Sequence, residues 1–218
     1  MINNNRVAFV INDLLIGGAE KAFIQQANVL ANKYDGIFFL VLKKAYVDES
    51  FRSLLDSRIR FVTFNFVAGW RVKEFINFLK FVKRNKITTL YATLDHATLV
   101  VRLSKIFIPS VRVVVRESGM ADRKTWKIKL CDIVLNIFTY RIIAVSRAVA
   151  HTVVAYQPFC SRKLVVIENG VPLPLACTKE KDISAITLLH IGSMHNDNKN
   201  QLFLIQVIEK LLKNNRNM

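Results

Sequence analysis

The sequence is poor in residue types that mark several classes of protein. It has three cysteines, seven glycines and four prolines among 218 residues. Cys131, Cys160 and Cys177 are too few and too far apart for a disulfide framework or a zinc cluster, so we expect reduced thiols in a cytoplasmic protein. Low glycine and proline, beside 52% hydrophobic residues, exclude collagen-like and disordered chains.

Long uncharged apolar runs are also missing. The first residues lack a basic segment followed by an apolar core, so we expect no secretory signal. The most apolar stretch, 130–156, is interrupted by Asp132, Arg141 and Arg147, and no run reaches the roughly 18 residues that a membrane-spanning helix needs. A mean hydropathy of +0.26 without such a helix indicates strands buried on both faces, or contact with a membrane surface.

Acidic residues are scarce: 16 Asp and Glu stand against 32 Lys and Arg, which gives a net charge of +16. This excess favours an anionic partner such as nucleic acid, phospholipid headgroups or a phosphorylated substrate, and a solvated basic surface explains it equally well. Because no zinc-finger or RNP-type aromatic motif accompanies the basic residues, we expect no specific nucleic-acid binding.

Short apolar segments alternate with helical patterns in the first part of the chain. Near-continuous apolar strands separated by helices are typical of a parallel sheet covered on both faces. We therefore predict an α/β fold with a Rossmann-like parallel sheet. The predicted strands are 6–12, 37–42, 59–64, 88–92, 111–115, 141–145 and 164–167, and the predicted helices are 19–33, 48–57, 70–84, 94–107, 123–138 and 146–156.

A domain boundary is predicted after residue 171. Residues 172–184 contain two prolines and a charged stretch, a composition typical of a linker. A buried strand at 185–192 and a helix at 199–212 follow. Because 185–218 is shorter than the roughly 55 residues at which small domains fold alone, we expect it to be the first strand–helix unit of an incomplete second domain. The domain at 1–171 is expected to be complete.

Two glycines stand where the first predicted strand turns into the first helix. Gly17 and Gly18 permit close approach of a ligand, and a helix start offers free N–H groups and the positive end of its dipole to phosphate or sugar hydroxyls. The dinucleotide fingerprint G-x-G-x-x-G is missing, which argues against nicotinamide binding. Taken alone, the glycine pair is equally typical of a tight turn between a strand and a helix. Glu20 can be explained as an acidic residue that interacts favourably with the helix dipole.

Three later segments follow predicted strands in the same way. Ser146 ends a strand and opens a helix, as an N-cap residue does. Asn169 and Gly170 follow the last strand before the linker, and the segment 188–194 precedes Lys199.

Together, and in this order, these segments resemble glycosyltransferase family 4. The resemblance rests on the Gly-Gly-Ala-Glu turn at 17–20, the Val-Ser strand end at 145–146, the Ile-Glu-Asn-Gly-Val exit at 167–171, and Gly192 followed by Lys199. It spans nearly the whole chain and implies the GT-B fold, in which two Rossmann-like domains face each other across a cleft. It also implies that 1–171 is the acceptor-side domain.

The activity implied by the resemblance is hexosyl transfer from a nucleotide-sugar donor, with retention of configuration, no metal and no cofactor. The implied acceptor is lipid-linked or a polysaccharide, in polysaccharide biosynthesis at the cytoplasmic face of the membrane. The implied substrate-binding and donor-binding residues are Gly17, Gly18, Glu20, Ser146, Asn169, Gly170 and Lys199, with Lys199 on the donor diphosphate.

The chain departs from the family pattern at two places. Ser193 stands where the family usually has an arginine, and the family's paired-glutamate motif is expected after Met218. We therefore expect a truncated chain. The alternative function is a non-catalytic remnant that only binds an acceptor or a partner protein.

Polar residues at two strand ends are the candidates for catalysis. Asp95 and His96 follow strand 88–92, and Arg116 and Glu117 follow strand 111–115, at the edge where open α/β sheets bind ligands. An arginine there can hold a phosphate or an acceptor carboxylate. The alternatives are a surface or capping role for His96, and a loop ion pair between Arg116 and Glu117.

The predicted helix 123–138 combines a basic first turn with an apolar stripe. Arg123, Lys124 and Lys127 flank Trp126, an arrangement that fits anionic lipid headgroups. The alternative is that the stripe packs on the sheet, and both hold if 133–137 is buried while 123–129 is exposed. The stripe consists of Trp126, Leu130, Ile133, Val134 and Ile137.

Overall fold

The computed structural model describes residues 6–66, 71–171, 188–192 and 200–214. The predicted linker 172–184 and Lys199 lie outside these ranges. The chain divides into two compact units, Met1–Val171 (unit 1) and Pro172–Met218 (unit 2).

Unit 1 is built on a seven-stranded sheet in which every pairing between neighbouring strands is parallel. The spatial order is β3-β2-β1-β4-β5-β6-β7, so the chain moves outward from β1 to β3 and then returns to place β4 on the other side of β1. The strands are β1 (Val7–Ile11), β2 (Ile37–Val41), β3 (Arg60–Thr63), β4 (Thr89–Thr93), β5 (Arg112–Glu117), β6 (Arg141–Ala144) and β7 (Leu164–Val166).

The helices connect these strands, which confirms the predicted α/β fold with a Rossmann-like parallel sheet. The helices are α1 (Gly18–Ala31), α2 (Glu49–Arg52), α3 (Val72–Arg84), α4 (Asp95–Phe107), α5 (Trp126–Leu135), α6 (Arg147–Tyr156) and, in unit 2, α7 (Gln201–Asn214). Among the described residues, no helix combines the length and apolar composition needed to cross a bilayer.

Each face of the sheet has its own hydrophobic core. On one face, which we call the α1 face, Phe9 and Tyr91 pack around Phe23 of α1. On the other face, which we call the α4 face, residues from α3, α4 and α6 pack on the alternate strand positions such as Leu90 and Val115. Because side chains alternate along a strand, neighbouring residues at a strand end point to different faces.

The structure corrects two of the predicted strands. Strand β5 continues to Glu117, because Arg116 and Glu117 pair with Ile143 and Ala144 of β6, so neither residue lies in a loop. Residues 188–192 of unit 2 do not form a strand, although their apolar pattern predicted one. A strand requires a hydrogen-bonding neighbour, and the described part of unit 2 contains none.

Candidate functional site

The candidate site lies at the carboxyl ends of β1, β4 and β5. The strand order reverses between β1 and β4, and open α/β sheets bind ligands at such a reversal. Residues from four segments meet there on the α1 face. We call this group the switch-point site, and it comprises Gly17, Gly18, Glu20, Thr93, Arg116 and Asn169.

The glycine turn and Glu20 together form the start of α1. Gly17 is the N-cap residue in an extended conformation. A Cβ placed on Gly17 overlaps the Glu20 carboxylate, which accepts a hydrogen bond from its own backbone N–H, so this carboxylate lies at the helix start. A Cβ placed on Gly18 meets no atom within 4 Å, so the turn leaves space on that side, beside the positive end of the helix dipole.

Arg116 is a buried cation at the end of β5, with only 1% of its surface exposed. Its Nη2 donates to Asn169 Oδ1 at 2.9 Å and its Nη1 donates weakly to Thr93 Oγ1 at 3.4 Å. Its Nε has no partner, and no described carboxylate lies within ion-pair distance of the guanidinium. Burial lowers the pKa of Arg116 from its ordinary value.

Glu20 brings a half-buried carboxyl group to the same site. Burial raises the pKa of Glu20 above its usual value and the negative charge of Asp13 adds to this, while a hydrogen bond from the Glu20 backbone N–H and the charge of Arg116 oppose the increase. The site therefore combines a guanidinium, an acidic group that holds its proton more tightly than usual, and the N-terminus of α1. These groups can bind an anion and sugar hydroxyls together.

Glu117 points to the opposite face of the sheet from Arg116. Lys124 Nζ lies 2.7 Å from Glu117 Oε2 and 2.8 Å from Asp132 Oδ2. The predicted alternative of an ion pair between Arg116 and Glu117 is therefore wrong, because Glu117 is paired with Lys124. We call the group on the α4 face the lysine cluster; it comprises Asp95, Arg102, Glu117, Lys124, Asp132 and Tyr156.

The lysine cluster is a closed network of charges. Arg102 forms an ion pair with Asp132, and the Tyr156 hydroxyl donates to Asp132 Oδ2 at 3.0 Å. Burial raises the pKa of Asp132, but Arg102 and Lys124 outweigh it and hold this pKa below its usual value. Burial likewise opposes the charge on Lys124, and the neighbouring carboxylates raise its pKa above the ordinary value. The network fixes the end of β5 against α4 and α5.

Asp95 and His96 begin α4. Within the described residues, neither side chain forms a hydrogen bond with Arg116. Asp95 lies 3.8 Å from Lys124 and is exposed. His96 packs edge-on against Phe66, its Nδ1 is buried without a partner, and burial together with Lys43 lowers its pKa. Leu94 precedes them at φ 71°, a strained conformation for leucine.

The remaining predicted site residues have different surroundings. Ser146 caps α6 by accepting a hydrogen bond from the Val149 amide at 3.2 Å, as its position predicted. Asn169 is joined to Arg116, and Gly170 beside it is exposed. Asn12 was not predicted to take part, yet its Oδ1 accepts the Ala97 amide proton at 2.6 Å and ties the β1 end to α4. Within the described ranges, no group of His, Cys, Asp and Glu could hold a metal ion.

A shallow cavity of about 220 Å³ lies between α4 and α5. Its polar wall includes Arg102 and Asp132, whose opposite charges already satisfy each other. The rest of its wall is largely apolar, from residues such as Leu99, Ile128 and Leu135.

Helix α5 presents its apolar stripe to solvent. Trp126 is 68% exposed and Ile137 73% exposed, with Lys127 stacked over the Trp126 ring at 5.7 Å. The expectation that 133–137 is buried is wrong for Ile133, Val134 and Ile137, because Asp132 and Leu135 form the buried side of the helix. The expectation that Lys124 lies at the surface is also wrong, because it is held in the lysine cluster.

Comparison with known proteins supports the fold. The sequence matches no protein-family model and no curated protein. Its structure is similar to Anabaena Alr3699/HepE solved with UDP, with a TM-score of 0.61, 17% identity, and coverage of 76% of this chain and 44% of that one.

Two further solved structures have the same fold. The lipopolysaccharide outer core galactosyltransferase WaaB gives a TM-score of 0.61 at 12% identity, covering 83% of this chain and 50% of that one. The UDP-GlcNAc 2-epimerase of Methanocaldococcus jannaschii gives a TM-score of 0.53 at 11% identity, and the match covers 75% of this chain and 45% of that one. The chain spans about half the length of the structures that it matches. Its fold is therefore that of one half of a GT-B protein.

Proposed function

We propose that this protein is a glycosyltransferase that transfers a hexose from a nucleotide-sugar donor, and that unit 1 is its acceptor-side domain. The observation that carries this proposal is the switch-point site. The glycine turn at Gly17 and Gly18, the carboxyl group of Glu20 and the buried guanidinium of Arg116 share one edge and one face of the sheet. The solved structures with this fold include glycosyltransferases and a nucleotide-sugar epimerase, which supports a nucleotide-sugar substrate.

The glycine turn has a direct physical role in this proposal. The N–H groups at the start of α1 that the Glu20 carboxylate leaves free are fixed donors for a substrate oxygen. A substrate can approach closely at Gly18, because even a Cβ there meets no atom within 4 Å. We infer retention of configuration and a reaction without a metal from the family resemblance of the sequence. The charge that develops on the leaving diphosphate is then met by protein cations, for which Lys199 remains the proposed donor-side residue.

The acceptor in this proposal is lipid-linked, and the exposed stripe of α5 rests on the anionic inner surface of the cell membrane. An apolar stripe with a tryptophan, flanked by Lys127 and Lys129, fits lipid headgroups by both hydrophobicity and charge. Lys124 takes no part because it is buried. The net charge of +16 adds long-range attraction to an anionic bilayer.

The variant Gly18→Val tests the proposal in the full chain. Transfer of labelled hexose from UDP-sugars to a membrane lipid extract should fall at least tenfold, because the valine fills the space at the helix start. The matched control is Gly119→Val, since a Cβ on Gly119 also meets nothing within 4 Å, and it should retain transfer. Unchanged transfer by Gly18→Val would remove the glycine turn from the site. Wild-type protein that binds acceptor but transfers nothing would favour the non-catalytic alternative.

A further inference from the structure

We propose that Arg116 is the receptor for an oxyanion, a phosphate or carboxylate group, carried by a substrate of the switch-point site. The inference rests on the proposed function for the identity of the substrate, while the anion site itself rests on geometry. Arg116 is 99% buried, and the described part of the protein offers it two neutral acceptors and no carboxylate.

A buried guanidinium without a counter-ion is costly. Buried arginines are normally paired, as Arg102 is with Asp132 on the opposite face of the same sheet. The guanidinium has five N–H donors, and Arg116 has one good hydrogen bond, to Asn169 at 2.9 Å, and a long one to Thr93. Its Nε is buried, and no described residue accepts a hydrogen bond from it. An arriving oxyanion supplies both the missing charge and the missing acceptor.

Glu20 does not play the part of a resident counter-ion. It belongs to the first turn of α1 and interacts with Arg116 only through longer-range charge, since no ion pair joins them. Burial and Asp13 raise the pKa of Glu20, whereas a tight ion pair would lower it. Among the described residues, no carboxylate therefore neutralises Arg116 at ion-pair distance.

Other donors lie at the same edge. Arg116 is paired in register with Thr93 of β4, on the face that also carries Tyr91 and α1. The 14-residue helix α1 begins at this edge, and its N-cap residue, Gly17, supplies no side-chain hydrogen bond. A helix start and a guanidinium together make a stronger oxyanion site than either alone. The Arg116 fork matches the two oxygens of a carboxylate or phosphate.

Two substrates can carry this oxyanion: the nucleotide diphosphate of the donor, or a phosphate or uronate group of the acceptor. To distinguish these two sources, the full chain is titrated separately with UDP, inorganic phosphate and glucuronate, and binding is measured by isothermal titration calorimetry. The variants are Arg116→Met and, as a control, Arg112→Met, an exposed arginine on the same strand and the same face. We expect wild type and Arg112→Met to bind at least one of these anions, and Arg116→Met to bind it at least tenfold more weakly.

A second measurement distinguishes a ligand receptor from a structural arginine. Without ligand, Arg116→Met should unfold at a higher urea concentration than wild type, because methionine removes an unpaired buried charge. A lower unfolding midpoint combined with unchanged anion affinity would overturn the inference, and so would a wild type that binds none of the three anions. Anion binding at Arg116 without any sugar transfer would refute the proposed function alone. Transfer that is unaffected by Arg116→Met would refute this inference alone.

Discussion

The lysine cluster allows one stability prediction to be worked out in detail. Asp132→Asn keeps the shape of the side chain but removes its charge. The Asp132 side chain is 5% exposed and its partner Arg102 is 1% exposed, so the change leaves a buried guanidinium without a carboxylate. Removing one partner of a buried ion pair costs about 3–5 kcal/mol. Lys124 keeps Glu117 as its partner, which places the expected loss toward the lower end of that range.

The measurement is urea unfolding of the whole chain, followed by circular dichroism. The matched control is Glu49→Gln, which also turns a carboxylate into an amide but breaks an exposed pair with Arg52 and should cost about 0–1 kcal/mol. Arg102→Met combined with Asp132→Asn should be more stable than Asp132→Asn alone, because no unpaired guanidinium remains. A loss for Asp132→Asn no larger than that of the control would refute the reasoning.

Four further predictions concern the site and its supports. Gly18→Ala should raise stability by about 0.4–1 kcal/mol, measured by urea unfolding, because alanine suits a helix and nothing obstructs its Cβ; a large loss would show that the space is not free. Asn12→Ala should cost about 1 kcal/mol, since it removes the hydrogen bond to the Ala97 amide, and an unchanged midpoint would contradict this. Trp126→Ala with Lys127→Glu should reduce sedimentation with anionic vesicles at least fivefold, whereas Phe159→Ala, which removes an even more exposed aromatic side chain, should not; equal sedimentation would refute membrane contact. Asp132 has a lowered pKa in the folded state, so its stabilisation is present above about pH 4 and is lost as the pH falls through the folded value; the acid limb of a stability–pH profile should therefore be flatter for Asp132→Asn.

The fold could be predicted from the sequence because most of its strands are short runs of apolar residues. Each central strand is buried on both faces, so segments such as Val7–Ile11 and Ile37–Val41 contain almost no polar residue. The end of β5 could not be predicted in the same way. Arg116 and Glu117 look like loop residues, and it is pairing with β4 and β6 that keeps them in the strand.

Helix α5 shows why the exposed side of a helix is hard to predict. Hydrophobicity alone indicates that Ile133, Val134 and Ile137 face the core. The structure turns the other side inward, because Asp132 is held by Arg102 and Lys124. These partners come from α4 and from the segment before α5, so their meeting depends on the tertiary structure and leaves no local signal in the sequence.

The candidate site was predictable in part. The glycine turn and Arg116 are visible because both follow strands that end at the same edge of a parallel sheet. That the glycine turn and Arg116 lie on the same face of the sheet depends on the strand register, which cannot be predicted from the sequence. Within the described residues, no carboxylate forms an ion pair with Arg116, and this depends on which side chains the surrounding elements bring together.

The account's central claim is that substrates bind at the carboxyl edge of the sheet between the glycine turn and Arg116. The most direct measurement is an NMR titration of the full chain with glucose 1-phosphate, which offers a sugar and an oxyanion together. We predict saturable shifts of the Gly17, Gly18 and Asn169 amides and of the Arg116 Nε–H. Shifts confined to α5 or to the cavity between α4 and α5, with these signals unmoved, would contradict the claim.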